Sequence, residues 1–177
     1  MSLTIECFGH FAIKKDGEYI ILKTKKAREL LAMLLMERGK PIRKQVLAAK
    51  LWQYKEPKRA LDSFYKVFNK LVDIEEQFNI GLTLKSQSNC VFLDISNISA
   101  DIFIFEKLFE TGDIEAYSKA AELYTAPFLQ NDSWDWAEAQ AAYYDARYLK
   151  IIDALIQFYK PIDPKMVSYY NRVKYRI

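Results

Sequence analysis

The stretch between Pro57 and Gly81 constrains the fold more than any other part of the chain. From about Lys58 to Phe78, the apolar residues Leu61, Phe64, Phe68, Leu71 and Val72 recur at helical spacing. That spacing predicts a long helix with one greasy face. Opposite this stripe lie Arg59, Asp62, Ser63, Tyr65, Lys66, Asn69 and Lys70. Such a rod must dock on neighbouring elements, and its polar side is left for solvent or a ligand. Two shorter helical stretches precede it. The first follows Thr24, a residue suited to capping a helix start. It carries Ala27, Leu30, Leu31, Leu34 and Leu35 and ends at Gly39. After the extended link Pro41-Ile42, the second runs from Arg43 to Trp52, with Val46, Leu47, Ala49 and Leu51 apolar. Gln53 to Pro57 reads as a loop.

Strand patterns flank the three helices. Leu3, Ile5 and Cys7 alternate with Thr4, Glu6 and Phe8, the period of two of a strand. Asp16-Gly17 supplies the positive φ of a tight hairpin turn, and Tyr19 to Leu22 pairs back. Gly81 to Ile95 reads as a second hairpin, with turn formers from Ser86 to Asn89. Sheet, three helices and hairpin, in that order, describe a winged helix-turn-helix preceded by an antiparallel sheet. In that architecture the third helix enters a DNA major groove. Lys and Arg read guanine or hold phosphate there, and Asn reads adenine. At the hairpin, Lys85, Ser86 and Gln87 are placed to touch backbone or minor groove.

Beyond Asp94 the pattern turns helical. Ser99 reads as the cap of a helix carrying Ile102, Phe105, Leu108 and Phe109. A second helix spans Ile114 to Tyr124, and a third, long one spans Trp134 to Tyr159. In the third, Trp136, Ala139, Tyr143, Leu149, Ile152, Leu155 and Ile156 are expected inside. A further helix begins near Met166, with no evident partner. Ala- and Tyr-rich helix pairs are similar in texture to tetratricopeptide-type repeats. Charge follows the same division. Residues 1–93 hold 17 Lys and Arg against 10 Asp and Glu, whereas residues 94–177 hold 9 against 13. A basic first half suits a polyanion. The predicted organisation is α+β: a DNA-binding winged helix over 1–95 and an all-α, tetratricopeptide-like module over 96–177.

Other classes find little support. No apolar run reaches the ~18 residues of a membrane span, and the N-terminus lacks the pattern of a signal peptide. Cys7 and Cys90 are the only cysteines. They read as two buried, reduced thiols in a cytoplasmic protein. With His10 as the single histidine, neither a zinc site nor a catalytic triad can be assembled at recognised spacing. No enzyme, metal or cofactor is predicted.

Several motifs resemble the opening of the SARP family of bacterial transcriptional activators. They are Phe8-Gly9, Asp16-Gly17, the run Thr24 to Leu31, Gly39-x-Pro41, Leu51-Trp52 and SFYKVFNKL from Ser63 to Leu71. LYTAPFL…DWAEAQ, from Leu123 to Gln140, resembles the bacterial transcriptional activator domain that follows the winged helix in that family. The resemblance implies an OmpR-type winged helix, a truncated helical array, and binding to double-stranded promoter DNA as a dimer. It also implies a loop meeting RNA polymerase, which would be Gln53, Tyr54, Lys55 and Glu56 here. In some relatives a phospho-receiver domain precedes the winged helix, which links them to two-component signalling. The family's third helix is arginine-rich where this chain has Tyr65, Lys66, Asn69 and Lys70. Trp52 reads as a core anchor, and Met1-Ser2 as an expression start. The alternative function is a protein-interaction scaffold in which the helical module is the active part.

Overall fold

The structure is a computed structural model and describes residues 3–176; Met1-Ser2 lie outside that range. Strands β1 (Leu3–Glu6), β2 (Ala12–Lys15) and β3 (Glu18–Ile20) open the chain. They are followed by α1 (Lys25–Met36), β4 (Ile42–Arg43), α2 (Lys44–Leu51), α3 (Pro57–Phe78), β5 (Thr83–Gln87) and β6 (Cys90–Asp94). Then come β7 (Ile98–Ala100), α4 (Asp101–Thr111), α5 (Ile114–Leu123), α6 (Glu138–Tyr159) and α7 (Pro164–Val173), with short 3-10 turns at Asp135–Ala137 and Lys174–Arg176. One sheet has the order β3-β2-β1-β7, and a second has the order β4-β6-β5.

The chain divides into two compact units. One holds residues 3–4 and 12–99, the other residues 5–11 and 100–176. In the first unit, α1 buries Leu30, Leu31, Leu34 and Leu35, α2 buries Leu47 and Leu51, and α3 buries Phe64, Phe68 and Leu71. The short link at Ile42 is a strand, because Ile42 pairs with Val91 and Arg43 with Cys90. In α2 the apolar side differs from the sequence expectation. Leu47, Ala48 and Leu51 are inside, whereas Val46 and Ala49 face out. Thr24 occupies the cap position of α1 with extended backbone angles, yet its side chain makes no capping bond. Its carbonyl takes the N–H groups of Ala27 and Arg28 instead.

The second unit groups the segment 5–11 with the helices rather than with the strands beside it in sequence. Phe8 is the reason. Its ring lies 5.3, 4.9 and 5.6 Å from those of Phe105, Tyr124 and Tyr144, and its backbone bridges Phe128. The buried Asp101 carboxylate receives the N–H groups of Cys7 and Phe8 at 2.8 and 2.9 Å. Burial pushes the Asp101 carboxyl up to about 6, against the pull of those N–H donors. Helix α4 therefore starts at Asp101. Ser99, expected as its cap, is an exposed residue of β7. That strand also means that the chain beyond Asp94 is not helical throughout. Helix α6 starts four residues later than expected, after a 3-10 turn, and its buried stripe is Tyr144, Tyr148, Ile151, Ile152 and Leu155. Ala139 and Tyr143 are exposed; Tyr143 instead lies under the Arg147 guanidinium at 3.4 Å. The last helix does have a partner. Tyr148 donates to the Val173 carbonyl at 2.7 Å, and Tyr170 stacks on Tyr159.

Candidate nucleic-acid interface

Helix α3 starts where Pro57 fixes the first turn and the Glu56 carboxylate accepts the N–H groups of Lys58 and Arg59. Proline in the first turn loses no helical bond, and an acceptor there satisfies orphan donors. The helix ends at Asn79 in the left-handed conformation. Glu75 then takes the N–H groups of Gly81 and Leu82, so the end of α3 is tied to the start of the β5–β6 hairpin.

The polar side of α3 is divided among three neighbourhoods. Arg59, Asp62, Ser63 and Lys66 line a groove of about 410 Å³ whose other wall is Tyr54, Lys55 and Glu56. Lys55 donates to the Ser63 hydroxyl at 2.9 Å, and Ser63 donates to the Arg59 carbonyl at 2.8 Å. The loop after α2 and the first half of α3 are therefore one surface, whereas the sequence reading held them apart. Tyr54 is fully exposed at its edge; Gln53 is exposed beside it. Trp52 is half-buried, with the ammonium groups of Lys26 and Lys55 5.9 and 5.8 Å from its ring centre.

Tyr65 lies on the opposite flank. The Lys44 ammonium sits 5.4 Å from the centre of its ring and donates to the Ser88 carbonyl at 3.0 Å. The Lys44 backbone N–H donates to the Asn89 carbonyl at 2.9 Å. One largely buried lysine thus holds the hairpin turn beside α3. Sequence reading passed over it because a lysine at a helix start reads as surface. Between the flanks, Lys66 and Asn69 are exposed, with no polar partner among the described residues.

The remaining predicted residues sit elsewhere. Lys70 points toward α1, where it donates to the Thr24 hydroxyl at 3.3 Å. Lys85 is in mid-strand opposite Phe92 and pairs with Asp94 at 2.9 Å. The Ser96 hydroxyl and Lys85 together hold the Asp94 carboxyl well below the usual range. Ser86 and Gln87 are exposed strand residues, and the turn itself is Ser88-Asn89, with Ser88 at φ 52°. Cys7 is buried, Cys90 is half-buried, and both are free thiols. No helix among the described residues is long and apolar enough to cross a membrane.

The class defined by this fold is an α+β protein in which a three-helix unit carrying a hairpin shares the chain with a helical unit, an arrangement consistent with a winged helix plus a helical module. No family model matches the sequence, and no curated protein matches it. Among solved structures the chain is similar to Mycobacterium tuberculosis EmbR in complex with a low affinity phosphopeptide, with a TM-score of 0.67 at 17% identity. The match covers 98% of this chain and 55% of the EmbR chain. The two share a fold, and this chain spans about half the length of the other.

Proposed function

We propose that the chain is a sequence-specific, DNA-binding transcriptional regulator of the SARP type, with residues 1–95 as an OmpR-type winged helix. The observation that carries this reading is the open strip of Lys66 and Asn69 on α3, flanked by Tyr65 and by a hairpin turn that Lys44 holds in place. The fold-level likeness to EmbR, itself a SARP-family regulator, supports it. In this reading α3 enters the major groove of promoter DNA. Asn69 is set to read adenine, Asp62 to accept from cytosine, and Lys66 to read guanine or hold phosphate. Arg59 and the exposed Ser86, Gln87 and Ser88 meet backbone. Lys70 and Lys85, already engaged within the protein, contribute less. The groove built by Tyr54, Lys55, Glu56 and Arg59 faces RNA polymerase. The tetratricopeptide-like helical module of 96–177 receives a protein partner or a second protomer, and two copies on adjacent half-sites gain affinity through effective concentration. The activity is binding in the cytoplasm, without chemistry.

Selection of bound fragments from a random DNA pool, followed by binding measurements across a salt series, tests this reading. A recovered consensus whose affinity falls steeply with salt is the expected result. Absence of binding at low salt rejects it.

A further inference from the structure

The first unit contains a cleft of about 740 Å³ that the DNA-binding reading does not use. The β2–β3 hairpin and the start of α1 form one side, and the second half of α3 forms the other. Leu22, Ala27 and Ile80 make a buried apolar floor, with Ile20 and Ile74 beside them. At the mouth, Tyr19, Ile21 and Phe78 are 58, 81 and 60% exposed. Large apolar side chains left this open are unusual on a soluble surface when they cluster round one cavity. The charged groups at the cleft are all of one sign. Lys15, Lys23 and Lys70 line it, and no Asp or Glu does. Lys15 donates to the Asn79 carbonyl and Lys70 to the Thr24 hydroxyl, so each already lies along the wall. Lys23 has no polar partner among the described residues.

We infer that this cleft is a binding site for a small amphiphilic anion: an apolar chain or ring in the floor, with a carboxylate or related acid among the three lysines. The volume falls within the roughly 300–1,000 Å³ of small-molecule sites. Apolar lining supplies affinity, and the one-signed cations supply orientation and select against cationic amphiphiles. A short acidic helix would satisfy the same charges. The enclosed floor of three buried side chains favours a small molecule, which can reach it, over a helix lying across the mouth. Because α3 forms one wall, an occupant there touches the helix assigned to DNA, and Lys70 is free to exchange its Thr24 partner for the ligand's acid group.

Decanoate is a suitable probe, titrated into the 177-residue chain below its micellar concentration. Binding is read by calorimetry and by backbone amide NMR shifts, neither of which depends on DNA. Saturable one-to-one binding is expected, with shifts confined to residues 19–27, 74–80 and their neighbours. Decyltrimethylammonium should bind at least tenfold more weakly. Lys23→Glu should weaken decanoate about tenfold, and Ile74→Trp, which fills the cleft from a half-buried position, should abolish binding while leaving an unchanged circular dichroism spectrum. Decanoate binding equal to wild type in both folded variants overturns the site, as does equal affinity for the cationic amphiphile. Binding of an acidic helical peptide without any of decanoate overturns it too. Loss of DNA binding in a separate assay would count against the function proposed above and leave this site standing.

Discussion

Lys44 and Tyr65 are 21 positions apart in sequence, yet the ammonium of one lies 5.4 Å from the ring centre of the other while it donates to Ser88. This joins the start of α2, the middle of α3 and the hairpin turn at a single side chain. Lys44→Met keeps the apolar stem and removes both interactions. A part-buried charge-assisted bond and a cation–π contact together are worth about 2–4 kcal/mol. Urea unfolding should show a loss of that size. If α3 and the turn act together on DNA, Lys44→Met should also weaken DNA binding although Lys44 is largely buried. Unchanged stability and unchanged affinity would mean that the lysine holds nothing.

Lys66 and Asn69 are exposed and have no polar partner among the described residues, so their alanine variants separate binding from folding. Lys66→Ala should unfold within about 0.5 kcal/mol of wild type. Its DNA affinity should fall, and the salt dependence of binding should lose about one counterion. Asn69→Ala should instead relax base preference at one position of the selected site, at a cost of about 1–3 kcal/mol. Filter or fluorescence binding over several salt concentrations distinguishes the two patterns. If both variants bind like wild type, α3 is not the reading helix.

Glu56 caps α3 through the N–H groups of Lys58 and Arg59, next to Lys55 with its bond to Ser63. Glu56→Ala should cost about 0.5–1 kcal/mol, because both donors are exposed and water replaces the lost acceptor in part. Ser63→Ala should cost less but free Lys55. Amide hydrogen exchange should therefore quicken over the first turn of α3 in Glu56→Ala and remain as in wild type in Ser63→Ala.

Most elements of the first unit were legible because they follow from local patterns; the strand at Ile42, which exists only through Val91, and the buried face of α2 were not. The Phe64/Phe68/Leu71 stripe of α3 and the Asp16-Gly17 turn need no tertiary information. The second unit was less legible where the chain is organised by distant partners. Asp101 begins α4 to satisfy N–H groups 93 and 94 positions away, so the cap position falls on Ala100 rather than on Ser99, the better cap of those two by type. Tyr143 and Tyr144 are adjacent and chemically equal; only the arrangement of Phe8, Phe105 and Phe128 decides that Tyr144 goes inside. On the candidate interface, face assignment placed Lys66 and Asn69, but a helical wheel cannot show that Lys70 leans to Thr24 or that Lys85 pairs with Asp94. Lys44 carried no sequence signal, because its role depends on Tyr65 and Ser88 coming to it.

Asp101 gives the sharpest dependence on pH. Its carboxyl is raised to about 6 in the folded chain, chiefly by burial and in lesser part by the nearby Glu6, while the N–H groups of Phe8, Cys7 and Ile102 pull it down. A raised carboxyl means that the folded state holds its proton more tightly than the unfolded state. Below about pH 4 both states are protonated and the group is neutral to stability. Between about pH 4 and pH 6 the unfolded chain releases its proton first, so stability falls as pH rises, by up to about 3 kcal/mol at two pH units. Above that range the loss is constant. Asp101→Asn keeps an acceptor for the Cys7 and Phe8 N–H groups and removes the charge. The variant should match wild type near pH 4 and be the more stable of the two at pH 7. Asp101→Ala leaves both donors buried without an acceptor and should lose about 2–4 kcal/mol even at pH 4. Urea unfolding of the three proteins at pH 4, 5, 6 and 7 reads the differences directly, since Glu6 and every other carboxylate are common to all. A wild-type-minus-Asn difference that stays flat across that range would show that the carboxylate is held ionised at no cost, its backbone donors outweighing its burial.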